Sequence, residues 1–318
     1  MEERQINKWL RRQYSPLGWG LLGYYGILNV LVLASTMALT GRQWLMAMWT
    51  GDWERWMDPS LAAGDGWGYL WSIAVGALVL YAWKGSDFWR KNVLVRREKL
   101  SGFSFFCLVC LCAGVQFLNG LWIGLLEWGL GWFGLSVMST LEMASGASDT
   151  LSMFLYASLV GPIWEELIFR GLILESLRPH GRRFAIVVSA VLFGAFHGNL
   201  LQGPFAFVLG LVLGYVAMEH GIWWSIGLHV FNNLVLADLL TRLTAPLPPI
   251  LADGLVGLLL LSCALASAAI LLCSRQRIKA YRQSSWIDRR CLGCFFTNSG
   301  VLLFLGLMAV SAVSMLFL

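Results

Sequence analysis

Nine stretches of this sequence are apolar over roughly the 20 residues that a helix needs to cross a lipid bilayer, and no other feature narrows the possible folds so far. They lie at roughly 17–40, 67–83, 103–126, 152–174, 184–201, 204–219, 222–240, 251–273 and 300–318. The expected fold class is all-α, a polytopic transmembrane helical bundle of about nine spans. Only 13% of the 318 residues are charged and 58% are hydrophobic, with a mean hydropathy of +0.68. An average soluble domain carries about 25% charged residues. A soluble enzyme, a disordered chain and a disulfide-stapled secreted domain are therefore excluded. Five of the seven Cys fall within apolar runs, where Cys acts as a small hydrophobe. Residues 41–66 read as interfacial, and 127–150 as holding a short surface helix.

The basic residues test the count of spans. Nineteen of the 23 Lys and Arg sit in four clusters, at 4–12, 84–99, 178–183 and 275–290. With nine spans all four clusters fall on one side of the membrane. The positive-inside rule then makes the N-terminus cytoplasmic and puts the C-terminus outside. Arg4, Lys8, Arg11 and Arg12 resemble the start of a signal peptide, but the apolar run after them is long and reads as a retained span. These clusters flank spans, so nucleic acid is not expected as a partner. The cluster at 275–290 also suits anionic lipid heads. Cys291 and Cys294 form a lone CxxC beside the last span, without the second pair that a metal site would want.

Ionisable residues inside spans cost about 2.5–3.5 kcal/mol each on insertion scales and point to function. Here they concentrate in three segments: Gly161-Pro162-Ile163-Trp164-Glu165-Glu166-Leu167-Ile168-Phe169-Arg170, Phe193-Gly194-Ala195-Phe196-His197, and His229-Val230-Phe231-Asn232-Asn233. Counting from the basic edges at about 1.5 Å per residue, Glu165 and His197 lie about 20 Å along their helices. His229 and Asn233 lie about 12 and 18 Å in on the same rule. Glu166 and Arg170 stand four residues apart and can pair on one face, while Glu165 points about 100° away. Phe193 shares a face with His197, and His229 with Asn233. Pro162 should free backbone groups just before the two Glu. Asn232 reads as packing, and Gly210 with Gly214 as a close helix contact. His180 and His220 fall in loops.

A carboxylate in a dry cavity can act as general base and deprotonate water. Two imidazoles and a carboxamide can hold a metal or stabilise an oxyanion directly. No HExxH is present, and no Ser or Cys stands in a recognisable nucleophile elbow.

The three motifs, Glu-Glu-x-x-x-Arg, Phe-x-x-x-His and His-x-x-x-Asn, resemble those of the CPBP family. That family comprises the type II CAAX prenyl endopeptidases and the bacterial Abi, bacteriocin-processing-like intramembrane proteases. The likeness covers roughly 150–240, between an N-terminal region 1–149 and a C-terminal region 241–318 with no placed motif. It implies a plasma-membrane endopeptidase acting on membrane-associated proteins or peptides. Glu165 would activate water, with His197, His229 and Asn233 completing the centre and Glu166, Arg170 and Phe193 supporting it. Catalysis would run with a divalent metal such as zinc on His197 and His229, or without one. Two other classes stay open: a binding or immunity protein with an idle catalytic set, and a proton-coupled transporter.

Overall fold

A computed structural model of the chain describes residues 3–56, 65–137, 150–285 and 287–317. Among these residues it is helical throughout, with no strand. The main helices are α1 (Glu3–Thr50), α2 (Trp67–Phe88), α3 (Gly102–Gly131), α4 (Leu151–His180), α5 (Arg182–Phe196) and α6 (Gly203–His220). Then come α7, which begins as Ile222–Val230 and continues through Phe231–Leu239 and Leu240–Thr244, α8 (Pro249–Cys273), α9 (Arg275–Ser284), α10 (Arg289–Phe296) and α11 (Ser299–Phe317).

Among the described residues six helices are long and apolar enough to cross a membrane: α1, α3, α4, α6, α8 and α11. The other three expected spans are helices of lesser reach or greater polarity. α2 dilutes its aliphatic residues with Trp67, Tyr69, Trp71, Tyr81 and Trp83. α7 carries His229, Asn232, Asn233 and Asp238. α5 has 15 residues, about 22 Å, because Gly198 takes φ +59° and closes the helix before the expected end. α1, in contrast, runs for 48 residues, twice the expected apolar stretch, since helical hydrogen bonding does not stop where apolar composition does. α3 ends at Gly131, so the surface helix expected over 127–150 does not begin there, and 138–149 lie outside the described residues.

α4 is the hub. Ile168, Phe169, Ile173, Leu174 and Leu177 are buried together with Phe184, Leu192 and Phe193 of α5. α5 and α6 make the most extensive helix–helix contact. A Cβ on Gly194 would meet the Gly203 carbonyl at 2.8 Å, and one on Gly210 would meet Ala190 Cα at 3.1 Å. Small residues of this kind let backbones approach where lipid supplies no hydrophobic drive. α8 packs on α3 through Ser267, its only buried residue, and is otherwise apolar and exposed, as suits a lipid-facing helix.

The four basic clusters meet at one end of the bundle. Arg97 binds Glu175 and the carbonyls of Ala217 and Met218. Arg183 reaches the carbonyls of Arg282 and Ser285, Arg182 pairs with Glu219, and Arg290 pairs with Glu3. Gly221 makes the return from α6 to α7 there at φ +97°, a conformation open to Gly at no cost.

Candidate active site

The site is built from α4, α5 and α7, braced by α3 and α6. Its centre is the Glu166 carboxylate, fully buried, with both oxygens engaged. Oε1 accepts from Arg170 Nη1 at 2.9 Å and from His229 Nδ1 at 2.9 Å. Oε2 accepts from Ser225 Oγ at 2.5 Å. Arg170, also buried, donates its other terminal nitrogen to the Gly210 carbonyl at 3.2 Å and lies over the Phe193 ring at 4.3 Å. Its Nε alone has no partner. A buried ion pair survives only when its remaining polar atoms are satisfied, and here nearly all are.

Glu165 is placed differently. Its side chain keeps 18% exposure, and Oε2 faces His229 Nε2 at 3.7 Å. His229 therefore stands between two carboxylates. Because Glu166 takes the Nδ1 hydrogen, the neutral ring presents an Nε2 lone pair toward Glu165. His197 has the same tautomer: Nδ1 lies 2.9 Å from the Phe193 carbonyl, which can only accept. It is the C-cap of α5 rather than an interior helical residue.

The turn after His197 satisfies its own polar groups. Asn199 Nδ2 donates to the His197 carbonyl at 2.9 Å, Asn199 Oδ1 accepts from Gln202 N at 2.7 Å, and Trp122 of α3 donates to the Leu200 carbonyl at 2.7 Å. Irregular backbone at membrane depth requires such internal pairing.

Asn233 is anchored by a consequence of Pro162. Residues Tyr156–Val160 form a π-turn, in which Gly161 N donates to the Tyr156 carbonyl. The next donor in that pattern would be Pro162, which has no N–H. The Ala157 carbonyl is thus left open, and Asn233 Nδ2 fills it at 3.1 Å. Asn232 does more than pack: it donates to Asn233 Oδ1 at 3.0 Å and accepts from Gln116 of α3 at 3.3 Å.

The structure thus brings Glu165, Glu166, Arg170 and His229 together, and ties Asn233 to α4. His197 joins this group only through Phe193, whose ring meets both imidazoles edge-on at 5.0 and 5.6 Å. Among the described residues no three His, Cys, Asp or Glu side chains are grouped to hold a metal ion. The two Nε2 lone pairs have the right chemistry, but a catalytic zinc takes three protein ligands, and that set is not gathered.

Three participants are absent from the motifs. Ser225 precedes His229 by one helical turn, so the series 225, 229, 233 was a readable signal. Gln116 and Tyr24 had none. Tyr24 of α1 packs on Trp164 at 5.7 Å and on Phe196 at 6.0 Å, the residues just before Glu165 and His197.

Compared with known proteins, residues 147–235 match the family model for Type II CAAX prenyl endopeptidase Rce1-like proteins. That segment holds every residue of the three motifs. No curated protein and no solved structure matches the chain.

Proposed function

Residues 147–235 match the family model of the Rce1-like CAAX prenyl endopeptidases, a protease family, and on that premise we propose that this chain hydrolyses peptide bonds in membrane-associated proteins or peptides through a water activated by Glu165. The observation that carries the reading is the contrast between the two adjacent carboxylates. Glu166 has both oxygens committed, whereas Glu165 is partly open and faces an imidazole nitrogen.

A water held by Glu165 gives its proton to that carboxylate as its oxygen attacks the scissile carbonyl carbon. Negative charge develops on the carbonyl oxygen. The second Nδ2 hydrogen of Asn233 is free to meet it, as are Nε2–H groups of His197 and His229 when those rings are protonated. Collapse of the intermediate breaks the C–N bond, and Glu165 returns the proton to the leaving nitrogen. The Glu166 brace holds the His229 ring in one orientation throughout. Each step uses this chain's own groups.

The basic end of the bundle is read as cytoplasmic, with the N-terminus inside, the C-terminus outside and the chain multi-pass in the plasma membrane. The nineteen clustered Lys and Arg support that orientation.

The test is digestion of a peptide library by the detergent-purified chain, wild type against Glu165→Gln, with metal analysis of both. Cleavage by wild type that disappears in Glu165→Gln at unchanged metal content supports the mechanism. Full cleavage by Glu165→Gln sinks it. Stoichiometric zinc that leaves with His197→Ala, together with activity, would transfer the chemistry to a metal. A wild type that binds but never cuts would favour the binding reading.

A further inference from the structure

We propose that the cleft beside the first turns of α1 binds the phosphate headgroup of an anionic phospholipid, a role separate from the catalytic reading. The cleft has a volume of about 470 Å³ and is lined by Arg4, Asn7, Lys8, Arg11 and Arg12, with Asn298 from the start of α11. The spacing 4, 8, 11, 12 stacks four cations along one flank of a helix.

At the same end of the bundle Arg97, Arg178, Arg182 and Arg290 each pair with a carboxylate. Arg4, Lys8, Arg11 and Arg12 have no ion pair among the described residues. Glu3, beside them in sequence, is engaged by Arg290 at 3.0 Å and so is not available to them.

The cleft is also held in place. Asn298, only 6% exposed, donates to the Arg11 carbonyl at 3.1 Å and accepts from Gly300 N at 3.2 Å, which fixes α1 against α11. Just beyond, a Cβ on Gly18 would meet Val301 N at 2.6 Å, so the two backbones are in near contact. A mobile basic tail would lack these restraints.

Height selects the ligand. The buried apolar positions of α1 begin at Leu10 and Tyr14, level with these cations, and continue past Arg12 with Leu17 and Leu21. Trp9 and Trp19 of α1 are each about half exposed, as aromatics are at a membrane surface. Phosphate at that level, matched by four clustered cations, belongs to a lipid head.

The test uses the full chain in detergent, titrated with phosphatidylglycerol or phosphatidylcholine of identical acyl chains and followed by native mass spectrometry. Phosphatidylglycerol should be retained preferentially. Lys8→Gln with Arg11→Gln should weaken it about 25-fold, from roughly fivefold per charge. The charge-keeping pair Arg11→Lys and Arg12→Lys should bind and unfold like wild type. Arg275→Gln with Arg277→Gln should leave binding unchanged, since α9 is equally basic but has no buried residue and holds no such cleft in place. Absence of the preference, its survival in the Lys8/Arg11 variant, or an equal loss in the α9 variant would overturn the site. Displacement by equimolar inorganic phosphate would overturn the lipid as its source and assign a soluble phosphate instead.

Discussion

His229 Nδ1 and Arg170 Nη1 approach the same oxygen of Glu166, each at 2.9 Å. One carboxylate oxygen thus links α7 to the charged face of α4, and the second oxygen accepts from Ser225. The two neighbouring glutamates should therefore fail in different ways. Glu166→Gln leaves Arg170 buried with an uncharged partner and should cost about 3–5 kcal/mol of stability. Glu165→Gln should insert and unfold like wild type while cleavage falls by about 10²–10⁴-fold. Thermal unfolding in detergent alongside the cleavage assay separates them, and equal stability of the two variants would contradict the assignment.

Ser225→Ala removes a hydrogen bond to a buried charge and should destabilise by about 1.5–3 kcal/mol. Because its effect runs through Glu166, the double variant with Glu166→Gln should cost clearly less than the two single changes together. Additive losses in the same unfolding assay would mean that Ser225 serves only the Leu213 carbonyl, its other neighbour at 3.0 Å.

The glycines of the α5–α6 contact should rank by what a methyl group meets. Gly194→Ala faces backbone at 2.8 Å and should be worst; Gly210→Ala, with contacts at 3.1 Å, should follow; Gly214→Ala, against the Ile186 Cγ2 at 3.2 Å, should be mildest. Overpacking typically costs about 1–3 kcal/mol. Gly227→Ala meets nothing within 4 Å and should stabilise by up to about 1 kcal/mol through helix propensity. Unfolding temperatures of the four variants give the order, and a Gly227→Ala loss as large as Gly194→Ala would refute it.

Pro162→Ala restores an N–H that can return to the Ala157 carbonyl and compete with Asn233. Stability should hold or rise, while turnover drops about tenfold through looser orientation of Asn233, a modest share of what positioning can supply. The check is kcat beside unfolding temperature. Unaltered turnover would show that Asn233 needs no such anchor.

The Glu166–Arg170 pair and the Gly210 contact were legible because each depends on spacing within one helix or on residue size alone. So was the effect of Pro162, whose missing donor is a property of the residue. The receiver of that freed carbonyl was not, because Asn233 lies 76 residues away and only the packing of α7 on α4 makes the bond. Gln116 was hidden for the same reason, and Tyr24 reads as one more aromatic of an apolar run. The count of spans was blurred where helices end on conformation rather than composition, as α5 does at Gly198.

That early end has a consequence for the surroundings. A hydrocarbon core is about 30 Å thick, and α5 rises only about 22 Å before the chain turns back into α6. The turn at His197–Gln202, with its polar Asn199 and Gln202, therefore stands within the depth normally filled by acyl tails. Such a mismatch is relieved when the bilayer thins locally. Short-chain lipids should suit this protein better than long ones, and a thick bilayer would press on the same turn that carries His197.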